Sequence, residues 1–211
     1  MFERATRLDK RHCPTWQAWA LMEAQLGRVD EARRLLQKGA WEGVGEKYVA
    51  RIWQAWALLE LRAATGEAEQ ARAARTSRRY FGHAIEADPY SVPTYIAWAM
   101  MEERLGDGRR ALDLLDDAVR RQQTDLTLWR TYLSIVRRHG SLLQIQRVEE
   151  RASAALATMA AQQAPGAATS SSPSNSAAGD SKEKFSLSSF HFGLSTQALA
   201  AELLDVNLAI M

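Results

Sequence analysis

The chain has 211 residues, of which 46% are hydrophobic and 25% are charged, and its formal net charge is +2. This balance is typical of a globular protein, no apolar run approaches the ~18 residues of a membrane-spanning helix, and the single cysteine, Cys13, excludes an internal disulfide framework. Arginine outnumbers lysine 22 to 5, which permits a nucleic-acid partner because guanidinium groups bind phosphate well. A GC-rich genome would give the same skew.

The first segment of the chain resembles a later one. FERATRLDKRHCP (residues 2–14) and FGHAIEADPYSVP (residues 81–93) carry Phe, Ala, Asp and Pro at the same spacing. Residues 2–8 therefore predict the end of a helix whose partner helix precedes the chain. We expect the sequence to be a piece of a longer repeat array.

Four copies of an aromatic pair follow, with aromatic residues at i and i+3. In the first three copies a glutamate follows at i+7, and a glycine closes each of the four segments. The fourth copy has Val136 in place of the glutamate. The four copies are Trp16, Trp19, Glu23, Gly27; Trp53, Trp56, Glu60, Gly66; Tyr95, Trp98, Glu102, Gly106; and Trp129, Tyr132, Gly140.

A second amphipathic segment follows each glycine, so each unit predicts a helix-turn-helix of about 34 residues. The connection at residues 39–48 is irregular, and the second helix of the second unit is long. Stacked units form an α-solenoid. We therefore predict an all-α fold of about four such repeats over residues 1–161. Because the aromatics recur at a fixed register, we expect them to form the core, and we expect the glutamate to accept hydrogen bonds across the helix pair.

The remaining residues change in composition. Residues 162–189 are rich in Ser, Ala and Pro, which predicts a disordered linker. Residues 190–211 predict a short amphipathic helix, with leucines at helical spacing: Leu199, Leu203, Leu204 and Leu208.

The pattern of two aromatics, a glutamate and a glycine resembles the HAT (half-a-TPR) repeat, a variant of the tetratricopeptide repeat. The resemblance covers about residues 1–160. More narrowly, WQAWALME and EARRLLQKG are similar to plant and algal HAT proteins that bind and stabilise chloroplast transcripts. The resemblance implies an RNA-binding protein of RNA processing or mRNA stabilisation in the chloroplast. Spliceosomal HAT proteins, in the nucleus, are the nearest alternative.

No arrangement of residues in the sequence predicts catalysis, a metal site or a cofactor. The four histidines are scattered. GVGEK (residues 43–47) lacks both the spacing of a phosphate-binding loop and a preceding strand. We expect a non-enzymatic protein.

The residues that vary between repeats are the candidate binding site, because a fold's residues recur while recognition residues change. Counted from the first aromatic of each repeat, we expect the +1, +8 and +9 positions to share one face on the concave side. Arginines there would hold the backbone of single-stranded RNA, and glutamines would read base edges. Ordinary solvated arginines, or a groove for protein partners, are the alternatives. The candidates are Gln17, Gln54, Arg62, Arg104, Arg130, Arg137 and Arg138.

A second basic stripe lies in the long helix of the second repeat. Arg72, Arg75 and Arg79 recur at i, i+3 and i+7, with Arg78 beside them. The stripe would bind phosphate or keep an exposed helix soluble.

Overall fold

The computed structural model describes residues 1–163, and in that range the regular structure is entirely helical. The predicted linker and C-terminal helix lie outside the described residues, except for the first residues of the linker. The helices are α1 (Phe2–Leu8), α2 (Cys13–Gln25), α3 (Val29–Glu42), α4 (Val49–Ala63), α5 (Glu67–Ala87), α6 (Val92–Arg104), α7 (Gly108–Arg121), α8 (Leu126–His139) and α9 (Leu142–Gln163).

Helix boundaries follow local chemistry. Pro14 and Pro93 lie in the first turns of α2 and α6, where a missing N–H costs no hydrogen bond. Asp107 accepts a hydrogen bond from the backbone N–H of Arg110 and so caps α7. Gly27 and Gly106 adopt positive φ angles of 78° and 83° just after α2 and α6, the left-handed conformation that glycine allows at no steric cost.

The helices pair into four hairpins: α2 with α3, α4 with α5, α6 with α7, and α8 with α9. We call α2, α4, α6 and α8 the first helices and α3, α5, α7 and α9 the second helices. Neighbouring first helices pack against each other along the series, whereas the backbones of no two second helices come close within residues 1–163. In a curved stack, the helices that touch their equivalents lie on the inside, so the first helices form the inner layer.

The core lies between the two layers, and the repeated aromatics are part of it as predicted. Trp16, Tyr95 and Trp129 are buried. Phe81 of α5 stacks on Trp98, with ring centroids 5.8 Å apart. Phe2 of α1 stacks on Trp19 at 6.2 Å, which confirms that α1 occupies the place of a second helix. No helix in residues 1–163 is long and apolar enough to cross a membrane.

Candidate functional site

In the second and third repeats the recurring glutamate connects its own helix to the second helix of the preceding repeat. In α4, Glu60 accepts a hydrogen bond from Trp56 Nε1 at 3.1 Å and a bidentate pair from Arg33 of α3, at 2.9 and 2.8 Å. In α6, Glu102 accepts from Trp98 Nε1 at 2.8 Å and from Arg78 of α5. The glutamate accepts hydrogen bonds as predicted, but its donors are the tryptophan of its own helix and an arginine of the preceding repeat, which the sequence pattern did not show. Across the helix pair of one repeat, Glu102 pairs with Arg110 of α7 at 3.3 Å, whereas Glu60 has no such partner in α5 within residues 1–163.

These ion pairs perturb the arginines. The Glu60 hydrogen bond raises the pKa of Arg33 against the opposing effect of burial, and Glu102 raises the pKa of Arg78 in the same way. Both guanidinium groups therefore stay charged at any pH at which the protein is folded, and they connect one repeat to the next.

The prediction that glutamines read bases is wrong. Gln54 is 2% exposed, and its Oε1 accepts a hydrogen bond of 3.2 Å from Thr94 Oγ1 of α6. Gln17 is buried at the equivalent position of α2. Each helical residue turns the chain by about 100°, so the +1 position lies at the flank where neighbouring first helices pack and not on the open face.

The arginines at the ends of the first helices are exposed, but they differ in their partners. Arg138 pairs with Glu103 at 2.8 Å, and Arg137 pairs with Glu149 of α9. Arg62 and Arg104 make no ion pair within the described residues. Arg130 is exposed at the +1 position of the fourth repeat. All of these except Arg130 lie in a last helical turn, where a cation is also stabilised by the helix dipole.

The open side of the first helices is a face that we call the inner face. It lies opposite the aromatics and contains the −2, +2, +5 and +9 positions. Its centre is apolar in three repeats, with Leu21, Leu58 and Met100 at +5, all half-buried. The +2 position is alanine in the same three repeats, half-buried in Ala18 and buried in Ala55 and Ala97. The +9 edge holds Gln25, Arg62, Arg104 and Arg138.

The apolar stripe of the inner face was missed in the sequence. Its signal was present, because Pro14, Ala18, Leu21 and Gln25 are spaced i, i+4, i+7 and i+11 and so share one side of a helix. The expectation placed the binding face about a quarter turn away, at +1 and +8, where the neighbouring helix packs. Only the +9 arginines belong both to the face expected from the sequence and to the inner face.

The other groups show no catalytic arrangement within residues 1–163. No group of three or more His, Cys, Asp or Glu side chains in that range could hold a metal ion. Burial raises the pKa of the Cys13 thiol, which makes it a poor nucleophile. Arg72, Arg75 and Arg79 of the second stripe are exposed on α5 and form no ion pair with described residues.

Comparison with known proteins identifies the architecture. No protein-family model matches the chain, and no curated protein does. A crystal structure of MamA protein matches over 77% of this chain and 83% of that chain, with 9% identity and a TM-score of 0.51. The chain has a TPR-like helical repeat fold. YrrB, described as a TPR protein with an unusual peptide-binding site, matches over 76% of this chain and 97% of that chain, with 10% identity and a TM-score of 0.33.

At these identities the likeness extends to the fold alone. The MamA match covers 77% of this chain, which is about the share that residues 1–163 make up. It carries no information on what the array binds. What the array binds has to be inferred from the side chains of the inner face.

Proposed function

We propose that the chain is a non-catalytic binding module whose inner face holds a segment of another protein. One observation carries the proposal: a half-buried apolar stripe, Leu21, Leu58 and Met100, runs from repeat to repeat and has arginines along one edge. Covering such a stripe removes apolar area from water, at about 25 cal/mol per Å². The arginine edge adds attraction for acidic side chains.

The partner that fits this face is a peptide or helix with apolar residues on one side and acidic residues next to them. Arg62 and Arg104 supply charge without first losing an internal ion pair, since they have none within residues 1–163.

Selection from a random peptide library displayed on phage tests this proposal. Selected peptides should combine apolar and acidic residues, and they should lose at least ten-fold in affinity for a Leu21→Glu variant, which places a charge on the stripe. Leu26→Glu is the matched control because Leu26 is 59% exposed and follows the same helix, off the stripe. Peptides that bind both variants equally would contradict the proposal.

A second candidate function is binding of single-stranded RNA along the same face. Arg62 and Arg104 favour it, because exposed arginines without ion pairs among described residues are available to phosphates. The HAT resemblance supports a role in RNA processing or mRNA stabilisation, and the chloroplast stays a prediction of that resemblance. Arg138 would have to leave Glu103, and no buried glutamine would read a base.

Salt dependence separates the two candidates. If the three +9 arginines contact phosphates of a labelled RNA oligomer, Arg62→Gln, Arg104→Gln and Arg138→Gln together should reduce the slope of log K against log salt by about 2. Binding to an apolar peptide should weaken little with salt. An unchanged RNA affinity in the triple variant would exclude RNA from the inner face.

A further inference from the structure

A groove of about 270 Å³ lies where α7, α8 and α9 meet, on the side of the second helices. Buried or half-buried side chains form its floor, and charged or polar side chains lie at its rim. The floor consists of Leu112, Tyr132, Val136 and Val148, and the rim includes Asp113, Asp116, Arg120, Gln144, Arg147 and Arg151.

In the earlier repeats an ion pair occupies the corresponding place. The register follows from buried residues spaced i, i+4 and i+7 in each second helix, a pattern that starts at Ala32 in α3, Ser77 in α5 and Ala111 in α7. In α3 and α5 the next residue is an arginine, Arg33 and Arg78 respectively. Each arginine binds the glutamate of the first helix that follows. The ion pair therefore occupies this place at those two interfaces, and no apolar floor is left open there.

Both members of this ion pair are replaced at the last interface. The residue after Ala111 is Leu112, and the glutamate position of α8 is Val136. The two changes occur together, and both side chains line the groove. An apolar surface thus lies where the two earlier interfaces hold a paired carboxylate, half-buried in Glu60 and buried in Glu102.

One cation of the earlier arrangement is retained. Arg110, just before Ala111, also pairs with Glu102, at 3.3 Å. Arg147 precedes the buried Val148 of α9 in the same way, but it has no ion pair or hydrogen bond within residues 1–163. Arg120 and Arg151 both pair with Asp116, at 2.5 Å each. Arg147 therefore occupies the position equivalent to Arg110, but the glutamate that would pair with it is absent from α8.

We propose that this groove is a docking site for an acidic segment of another protein. A leucine-sized side chain of the partner covers Leu112 and Val136, and a neighbouring carboxylate pairs with Arg147, which completes the arrangement that Glu102 completes one repeat earlier. Asp113, which has no ion pair among described residues, directs the carboxylate away from α7 and toward α9. The site uses no residue of the inner face and does not depend on the function proposed for that face.

The composition of the groove decides the class of partner. A nucleic acid would need several cations free of acids, and here one arginine is free while the other two are paired with Asp116. The apolar floor suits a single aliphatic side chain beside one carboxylate, which is the pattern of an apolar-acidic residue pair in a peptide.

Methyl-detected NMR titration tests the proposal with two capped dipeptides, Leu-Glu and Leu-Gln. The methyl resonances of Leu112, Val136 and Val148 should shift and saturate with both dipeptides. Leu-Glu should bind about five-fold more tightly, as for a partly exposed ion pair, and the difference should shrink in high salt. Equal affinities, or shifts that do not include these methyl groups, would overturn the proposal.

Two variants identify the groups responsible. Arg147→Gln keeps the groove but should abolish the five-fold preference for Leu-Glu. Arg109→Gln is the matched control, because Arg109 is an exposed arginine of α7 with no ion pair in the described range, and it should keep the preference. A preference that survives in R147Q, or that is lost equally in R109Q, would exclude Arg147 as the carboxylate partner.

Val136→Glu supplies the carboxylate from within the chain and should block both dipeptides. A thermal unfolding curve shows whether this variant folds. If it does not fold, the comparison of R147Q with R109Q decides alone. Undiminished binding of Leu-Glu to folded V136E would contradict the site.

Discussion

At the scale of single residues, the buried glutamate is the costliest feature of the repeat. Glu102 has a fully buried side chain, and its carboxylate is surrounded by Trp98 Nε1, Arg78 and Arg110. Burying a charge is unfavourable unless it is paired and hydrogen-bonded, and here each oxygen has a partner. The pairing makes the residue tolerable in the core and fixes the distance between repeats.

Removal of this carboxylate should destabilise the protein strongly. We expect Glu102→Ala to lower the free energy of unfolding by about 3 kcal/mol, because Arg78 and the Trp98 N–H lose their acceptor in a buried place. Urea denaturation measures the change. Glu86→Ala is the control, since Glu86 contacts only an exposed His83 and is 76% exposed; a loss there as large as in E102A would refute this role.

Two tyrosines make stability depend on alkaline pH. Burial, and then the adjacent carboxylates Asp117 and Asp116, raise the pKa of Tyr95 and of Tyr132 to about 12. An unfolded tyrosine titrates near 10, so between pH 10 and 12 the folded chain binds more protons than the unfolded chain. The free energy of unfolding therefore falls as pH rises through this window. Urea midpoints should fall less steeply there in the Tyr95→Phe, Tyr132→Phe double variant than in the wild type; parallel curves would contradict the assignment.

At the scale of helices, close approach depends on one glycine in the first hairpin. A Cβ atom at Gly39 of α3 would lie 2.7 Å from Trp16 Cβ and 2.8 Å from Ile52 Cδ1. The aromatic of α2 and the aliphatic side chain of α4 thus pack directly on the backbone of α3. The repeated tryptophan fits its neighbours because this position carries no side chain.

Two glycine substitutions separate packing from helix propensity. Gly39→Ala should lower the free energy of unfolding by about 1–3 kcal/mol, because overpacking exceeds the gain in propensity. Gly82→Ala, inside α5 with no atom within 4 Å of the added Cβ, should raise it by about 0.5–1 kcal/mol. Chemical denaturation of both variants checks the signs. The same sign in both would mean that propensity or strain, and not local packing, governs these positions.

At the scale of the whole array, stability depends on the number of neighbours that a helix has. Within residues 1–163, the backbones of α4 and α6 each lie close to four other helices, whereas the backbone of α1 lies close only to α2 and that of α9 only to α8. Side chains of α9 also reach α7, through the Arg151–Asp116 ion pair. A stack of repeats gains its stability from interfaces between neighbours. Its ends therefore open more easily than its centre.

Hydrogen exchange followed by mass spectrometry should show this gradient. Amides of α4 and α6 should be the most protected, and amides of α1 and α9 should exchange at least ten-fold faster, because local opening there breaks fewer contacts. Uniform protection over residues 1–163 would mean that the array opens as one cooperative unit.

The sequence by itself determined the repeat, the helix order and the core. Aromatic spacing, a glycine at the end of a helix and helical periodicity are local signals, because they act within one segment of the chain. For the same reason the burial of Trp16 and Trp129, and the fact that Glu60 accepts hydrogen bonds, could be predicted from recurrence alone. The arginine donor from the preceding repeat could not be predicted in this way.

Only the tertiary structure decided which face is open. Gln17 and Gln54 lie beside the aromatics at a position that varies between repeats, and nothing local shows that a neighbouring first helix covers them. The pairing of Arg33 with Glu60, of Arg138 with Glu103, and the replacement of one ion pair by Leu112 and Val136 are likewise contacts between repeats. Local periodicity specifies each helix, but the sites lie at contacts between helices. Those contacts depend on how the repeats stack.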